Sequence, residues 1–428
     1  MKIHNANSIF QATSIKASTN VKPIRSGQIL TGEVVKFFPN NMALIQANSM
    51  RFMAEAETQL VINQKYLFQA IQKDQKIQLK ILKNDSVKSV GSDMSVISET
   101  LIKHTNLPNT KQNQQLIYAL VNEGIPFTES ELQLMTKWIN DVEDIPRALE
   151  TIRTMIKNNI PFLQGSLEGV FAILDEEPIS NQLLNLQKLL MSDPLREQEV
   201  LNKLFMKVDE ILQFDPISQL LSKNLEGSKM FNLMIRNLGL TTADIGALDH
   251  NQEDSLKALL RLSLTTIKEG SLLYERMERL ANRLTGMQLF TQEIGHSQQI
   301  VLQLPMRLGD YLSDMTVQLN SQKNSKGKID PDYCQILFYL DLQEIGNTVI
   351  DMKIQHRVLN LTIYNKSDSL SEIINQLKPK LKKNLDQQGY ILSNVKLTVP
   401  KHEEVGIKAL ISTIDYPLKN LSGVDFLV

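Results

Sequence analysis

The chain has a single cysteine, Cys334, in 428 residues. One thiol can form neither an internal disulfide nor a cysteine-based zinc site, which fits a reducing compartment. His4, His104, His250, His296, His356 and His402 include no pair at the i, i+4 spacing that puts two ligands on one helical face, so no metal site is expected. There is no G-x-x-x-x-G-K-S/T phosphate loop, no G-x-G-x-x-G after a strand and no G-x-S-x-G elbow; Gly165-Ser166-Leu167-Glu168-Gly169 lacks the required order. Cys334, beside a strand, reads as a small buried hydrophobe. Asp175-Glu176-Glu177, between an apolar stretch and Pro178, reads as solvated punctuation. With no catalytic constellation and no cofactor motif, the expected class is an interaction protein and not an enzyme.

Net charge is also missing: 46 Lys plus Arg stand against 47 Asp plus Glu, so no global field draws the chain to nucleic acid or anionic lipid. No apolar run approaches the length of a membrane span, and the first 30 residues lack the unbroken hydrophobic core of a secretory signal. The expectation is a soluble, cytoplasmic, monomeric protein without membrane insertion. At 42% hydrophobic and 22% charged residues the composition is globular, and the length suggests several domains.

Residues 1–26 are rich in Ser, Thr, Asn and Gln, contain no acid and show no period, and read as a disordered arm. In 27–83 five short extended runs are divided by turn residues: Gln28–Phe38, Met42–Ala47, Met50–Ala56, Tyr66–Gln72 and Lys76–Leu82. That density of strands predicts a small OB-like β-barrel, with Gly27 and Gly32 allowing the bend of the first strand. Phe37, Phe38, Phe52, Tyr66 and Phe68, with Lys36, Arg51, Lys73, Lys76 and Lys80, could stack bases and hold phosphates. The competing reading, favoured here, puts the aromatics in the core and the lysines in solvent, which argues against nucleic acid as a partner.

Ser86–Asp93 reads as a linker. Residues 94–292 form an all-α middle region whose joints are marked by Pro108, Pro126, Pro146, Pro161, Pro178, Pro194 and Pro216. Thr128 and Glu131 make a capping box, and Asn251 or Asp254 can cap the helix through Leu259 and Leu262. Ile125-Pro126-Phe127 recurs as Ile160-Pro161-Phe162, with a weaker echo at Gly239-Leu240-Thr241, as a local duplication of helical hairpins would produce.

The most legible part is 297–400, an α/β sandwich with a mixed sheet and one covering helix. Two alternating runs, through Ile300, Leu302 and Leu304 and through Met315, Val317 and Leu319, open the sheet. The run from Gln335 to Leu342 is apolar on both faces and reads as a central strand. Ile350, Met352 and Ile354, then Leu359, Leu361 and Ile363, predict a one-sided antiparallel hairpin whose turn near Gln355–Arg357 lacks Gly and Asn. Ser369 and Glu372 form an S-x-x-E box ahead of the stripe Leu370, Ile373, Ile374, Leu377, Leu381 and Leu385; Pro379 predicts a kink and Gly389 a left-handed cap. Val395, Leu397 and Val399 close the domain as a parallel strand. Residues 401–428 read as an edge strand or a docked tail.

These residues carry a resemblance. Leu342-Gln343-Glu344-Ile345-Gly346-Asn347-Thr348, followed by two strands and by Leu377-Lys378-Pro379-Lys380-Leu381 through Leu385 to Gly389, resembles the C-terminal domain of the flagellar hook-length control (FliK-like) family. It is similar to that family's L-P-E-L-G-x-V element and L-x-P-x-L-x-x-x-L-x-x-x-G helix, and Arg283-Leu284-Thr285-Gly286 and Leu304-Pro305 extend the likeness. Gln343 replaces the usual proline and Thr348 the first valine. The resemblance implies a non-enzymatic protein of the bacterial flagellar type III export system, a substrate-specificity switch or hook-length control factor or a cytoplasmic relative of one. It implies docking on the cytoplasmic tail of the FlhB-like export-gate switch protein through Glu344, Ile345, Gly346, Thr348 and Ile350, and an N-terminal arm able to serve as an export signal. The amphipathic middle region departs from the Pro, Ser and Gln-rich ruler segment of the best-known members.

Overall fold

In a computed structural model of the chain, the N-terminal strands lie where the extended runs between turn residues placed them: β1 (Gln28–Phe38), β2 (Met42–Ala47), β3 (Met50–Ala56), β4 (Lys65–Lys73) and β5 (Lys76–Ile81). The structure describes residues 25–39, 42–47, 50–56, 60–73, 76–82, 94–215, 227–240, 254–294, 297–324, 329–367 and 369–400. The expected linker and nearly all of the N-terminal arm lie outside the described residues, as does the C-terminal tail. Contacts divide the chain into two units, Met1–Ile145 and Pro146–Val428. That boundary falls inside the expected helical region, because three of its helices belong with the first sheet and the rest with the second.

In the first unit Leu30, Val34, Ala43, Ile45, Ala47, Tyr66, Phe68 and Ala70 share one core. Gly32 is required there, since a Cβ on it would lie 2.6 Å from Ile45 Cγ2. The sheet has six strands in the order β2-β3-β5-β4-β1-β6, with β1 also paired to β2. The expected closed barrel is corrected in this respect. β3 meets β5 in parallel through only Glu55↔Gln78 and Ala56↔Leu79, so the sheet curls back on itself without full closure. The sixth strand, β6 (Phe127–Thr128), interrupts the region expected to be all helical. It pairs Ile29 with Phe127, a ring only 1% exposed, and two residues are too few to show alternation in sequence. The unit's helices are α1 (Met94–His104), α2 (Lys111–Asn122) and α3 (Glu129–Asp141), packed in sequence order, the last beside β6 and opened by the Thr128–Glu131 capping box.

The second unit begins with α4 (Ile145–Lys157), α5 (Gln164–Ile173), α6 (Ile179–Ser192), a 3-10 turn at Pro194–Glu197 and α7 (Glu199–Leu212). It continues with α8 (Gly227–Leu238), α9 (Leu256–Leu264) and α10 (Leu272–Leu289). Ser255, not Asn251 or Asp254, caps α9, its hydroxyl accepting from Ala258 N at 3.3 Å. Pro108, Pro126, Pro146, Pro161, Pro178 and Pro194 lie between helices or in a first turn. The three sequence echoes have a local cause. Gly124, Asn159 and Gly239 all take positive φ, at 63°, 55° and 78°, just after helices. Ile125, Ile160 and Leu240 each then donate a backbone hydrogen bond five residues back, to Leu120, Met155 and Ile235. These are Schellman caps with a buried apolar residue after the turn, a local geometry that all three sites share. α5 and α10 cross at close range: a Cβ on Gly286 would stand 2.2 Å from the Gly169 carbonyl oxygen.

A seven-stranded sheet completes this unit in the order β13-β12-β11-β10-β9-β8-β7. Its strands are β7 (Gln292–Ile294), β8 (Ser297–Leu308), β9 (Tyr311–Lys323), β10 (Ile329–Leu342), β11 (Gly346–Gln355), β12 (Val358–Tyr364) and β13 (Ile391–Thr398). Every pairing is antiparallel except β12 with β13, so the sheet is mixed, and β10 is its middle strand. β8 is buried on both faces, with α6, α7 and α10 packed on it. Between β12 and β13 runs α11 (Leu370–Gln387), continuous through Pro379. The expected Ser369 cap is corrected: Ser369 has helical φ and ψ and makes no cap bond, its hydroxyl bonding Ser367 instead at 2.7 Å. The C-terminus is a full Schellman motif, with Gly389 N donating to Asp386 O and Tyr390 N to Leu385 O.

Only part of the α11 stripe reaches the sheet. Leu370 is buried and Leu381 and Leu385 pack on the core of Cys334, Ile354, Leu359 and Leu392, whereas Ile373 and Leu377 are 48% and 56% exposed. Leu377→Ala is therefore expected to change stability by less than about 0.5 kcal/mol, and Leu385→Ala to cost about 1–2 kcal/mol. Gly286→Ala should cost about 3 kcal/mol or more, because backbone must move to admit the methyl. Urea melts of the three variants check the order.

Candidate functional site

β10 and β11 are joined by a three-residue loop, Gln343-Glu344-Ile345, closed by the pair Leu342↔Gly346. Such loops end on a residue in the left-handed region, and Gly346 has φ +64° with open space where a Cβ would sit. Glu344 is exposed at the tip, while Ile345 and Gly346 are half-buried. Thr348 is 3% exposed, and Ile350 faces between Phe338 and Ile363 of the neighbouring strands. The five residues picked out in the sequence thus lie in one turn and the start of β11, and of them only Glu344 has an exposed side chain. Asp341, whose carboxylate accepts from Tyr311 Oη at 3.3 Å, adds a second exposed acid beside it.

Sequence reasoning missed Asn365, which follows β12 and is 1% exposed. Its Nδ2 donates to Ile345 O at 3.0 Å and to Thr348 Oγ1 at 2.7 Å. An asparagine after a strand carries no motif, so nothing local marked it.

At the opposite end of the sheet, β11 and β12 are joined by His356 and Arg357, with φ of 50° and 64°. Two consecutive left-handed residues make the primed turn a hairpin wants, formed here without Gly or Asn. Side chains offset the strain: Arg357 Nε donates to Asp332 Oδ1 at 2.9 Å and its guanidinium lies over the Tyr390 ring, while Tyr333 hydrogen-bonds the His356 ring at Nδ1, 3.0 Å away.

A buried charge cluster joins the helices of this unit to its sheet. Arg283, 2% exposed, donates from Nη1 to Glu177 O at 2.6 Å and from Nε to Gln303 Oε1 at 2.9 Å. Asp314 accepts from Ser180 N at 3.1 Å, serving α6 as the cap that Pro178 cannot provide. Burial pushes the Arg283 pKa down, opposed by the Asp314 charge; burial pushes the Asp314 pKa up, opposed by Ser180 and Arg283. The expectation that Asp175 to Glu177 is solvated punctuation is corrected here. Asp175 lies 3.2 Å from Arg147 and 3.9 Å from Arg279, and Glu177 lies 3.5 Å from Arg276. Two of these arginines and Arg283 form a stripe on α10, which brings together acids and bases too far apart in sequence to be read as partners.

The remaining candidates fall into place singly. Cys334 is buried and its thiol pKa is pushed up to about 11, chiefly by burial, which makes it a poor nucleophile. Lys257, held by Gln288, is pushed down to about 8 by burial and by Arg261. In the first unit Phe68 and Tyr66 are core residues, but Phe37 and Phe38 are each 38% exposed, with Lys36 5.3 Å from the Phe38 ring centre. The side chains of Phe52, Lys73 and Lys76 lie outside the described residues, as does His402. Among the described residues no group of three or more His, Cys, Asp or Glu could hold a metal ion, and no helix is long and apolar enough to cross a membrane.

No family model matches the chain. No solved structure matches it either. The chain is similar to the uncharacterized protein YlqG of Bacillus subtilis (strain 168), 30% identical over 170 residues, which are 39% of this chain and 29% of YlqG. The chain therefore spans less than a third of the length of the curated relative it matches.

Removing the Arg283 charge leaves Glu177 O and Gln303 Oε1 without their donor and Asp314 without a nearby opposite charge, so Arg283→Met is expected to cost about 3–5 kcal/mol. A carboxyl whose folded pKa lies above its unfolded value weakens the fold while ionised, and stability returns as pH falls through the folded pKa. Arg283→Met raises the Asp314 pKa further, so the gap between variant and wild type should narrow as pH falls below neutral. Paired melts across that range check the sign.

Proposed function

We propose that the chain is a non-enzymatic interaction protein of flagellar type III export, a substrate-specificity switch or hook-length control factor or a cytoplasmic relative of one. It binds the cytoplasmic tail of the FlhB-like export-gate switch protein through the C-terminal sheet of its second unit. The observation that carries the reading is the β10–β11 turn. It coincides with the motif that resembles the family, holds Gly346 at positive φ, and presents Glu344 to solvent. The order of middle strand, turn, antiparallel hairpin, Pro379 helix and parallel strand supports the same reading. The site of action is the cytoplasm, with passage through the export apparatus as a further consequence of the same family reading.

The exposed aromatics of the first unit favour a second reading, an OB-like module that binds single-stranded nucleic acid. The curled sheet with strand order β2-β3-β5-β4-β1 supports the OB-like comparison, and Phe37 and Phe38 supply stacking faces. With a net charge of −1, binding tighter than about micromolar at physiological salt is not expected, and a steep fall of affinity with salt would reverse the ranking.

Calorimetry of the full chain against the export-gate tail from the same organism tests the first reading. Glu344→Ala should weaken binding without lowering the melting temperature, because the side chain is exposed. Gly346→Ala should lower both, since a Cβ at φ +64° costs about 1–2 kcal/mol. Ile350→Asp should unfold the unit by placing a charge between core strands. No heat at about 100 µM with a folded chain would leave the fold without this partner.

A further inference from the structure

We infer that Asn365 is the positioning residue of the β10–β11 turn and couples its shape to the docking of β13. The inference rests on the reading of that turn as the partner surface. The Asn365 Nδ2 group meets three acceptors of the turn: Ile345 O at 3.0 Å, Asn347 O at 3.4 Å and Thr348 Oγ1 at 2.7 Å. Its Oδ1 accepts from Ser367 N at 2.7 Å, and its own N–H donates to Thr398 O at 3.2 Å. A buried amide with two donors and one acceptor is fully used by this arrangement. Aspartate has the same shape but no donor, leucine has neither donor nor acceptor, and glutamine is one methylene too long.

The consequence lies in where the bonds end. The β11–β12 ladder stops at Val349↔Tyr364, and beyond it the carbonyl groups of Ile345 and Asn347 are held by the side chain of Asn365, the residue that follows β12. The backbone of that same residue is fastened to Thr398 at the end of β13, whose one neighbour in the sheet among the described residues is β12. Turn and edge strand therefore share one anchor, and loosening β13 frees the carbonyls that define the turn. Glu344 keeps its place only while β13 is docked.

Asn365→Asp in the full chain removes both donors and keeps the acceptor. Leu385→Ala, which loosens α11 from the sheet core, serves as a control of comparable stability loss. Amide hydrogen exchange is read over 345–349 and over β8 and β9. For Asn365→Asp the turn should exchange about tenfold faster relative to β8 and β9, as loss of one net hydrogen bond implies, whereas Leu385→Ala should speed both alike. Exchange at 345–349 that stays at the wild-type rate in Asn365→Asp, or rises only in step with β8 and β9, overturns the inference. Should Asn365→Asp fail to fold, Thr348→Val, which removes only the shortest of the three contacts, carries the same comparison. Affinity for the export-gate tail should fall about tenfold in Asn365→Asp and much less in Leu385→Ala; equal affinities in Asn365→Asp and wild type, with a loosened turn, also overturn it. If the wild-type chain does not bind that tail, the partner reading fails while the exchange data still decide the role of Asn365.

Discussion

The second unit depends on one guanidinium taken out of water. Arg283 sits between α10 and β8 and holds Glu177 O and Gln303, while Asp314 from β9 caps α6. A buried charge is costly unless its hydrogen bonds are made, so the residues around Arg283 are constrained together or not at all. The connection from α5 to α6 must bring Glu177 to α10, and β9 must start in the register that brings Asp314 to α6. Gly169 and Gly286 meet that demand from the apolar side by letting α5 and α10 approach at backbone distance.

From this frame the sheet extends away from the helices. β8 is covered on both faces; β10 to β12 are mostly half-buried, with α11 laid along them through a narrow stripe. The two ends of the β10–β12 hairpins are built differently. One uses glycine and an asparagine that gathers carbonyls; the other forces His356 and Arg357 into the left-handed region and offsets the cost with an ion pair and rings. Polar contacts at the margins therefore do work that apolar packing does in the middle of the sheet.

Much of this was legible because it is local. β1, β2 and β3 carry period-two alternation bounded by turn residues, and their limits match. The Thr128 box and the Gly389 cap follow from two or three residues each. What was not legible is what needs a third dimension. Phe127 becomes a strand only because the pairing of β1 with β2 leaves one side of Gln28 and Ile29 open to it, and the stripe on α11 is narrower than its periodicity because half of it overhangs the sheet. Ser369 has the right spacing to Glu372 but helical φ and ψ, so the box cannot form. Within the candidate site, Gly346 was readable from its turn, whereas Asn365 was not, since a side chain that bonds three acceptors on another strand has no sequence period.

The parallel placement of β13 also orders events in time. During synthesis β10, β11 and β12 emerge first and can pair as neighbours, but Asn365 finds Thr398 only after the whole of α11 has been made and has crossed the sheet. Antiparallel hairpins close over short loops and parallel pairs over long ones, so this contact forms late. A nascent or truncated chain ending before β13 would carry the hairpin without the strand that sets its tip, and so would differ at that turn from the finished protein.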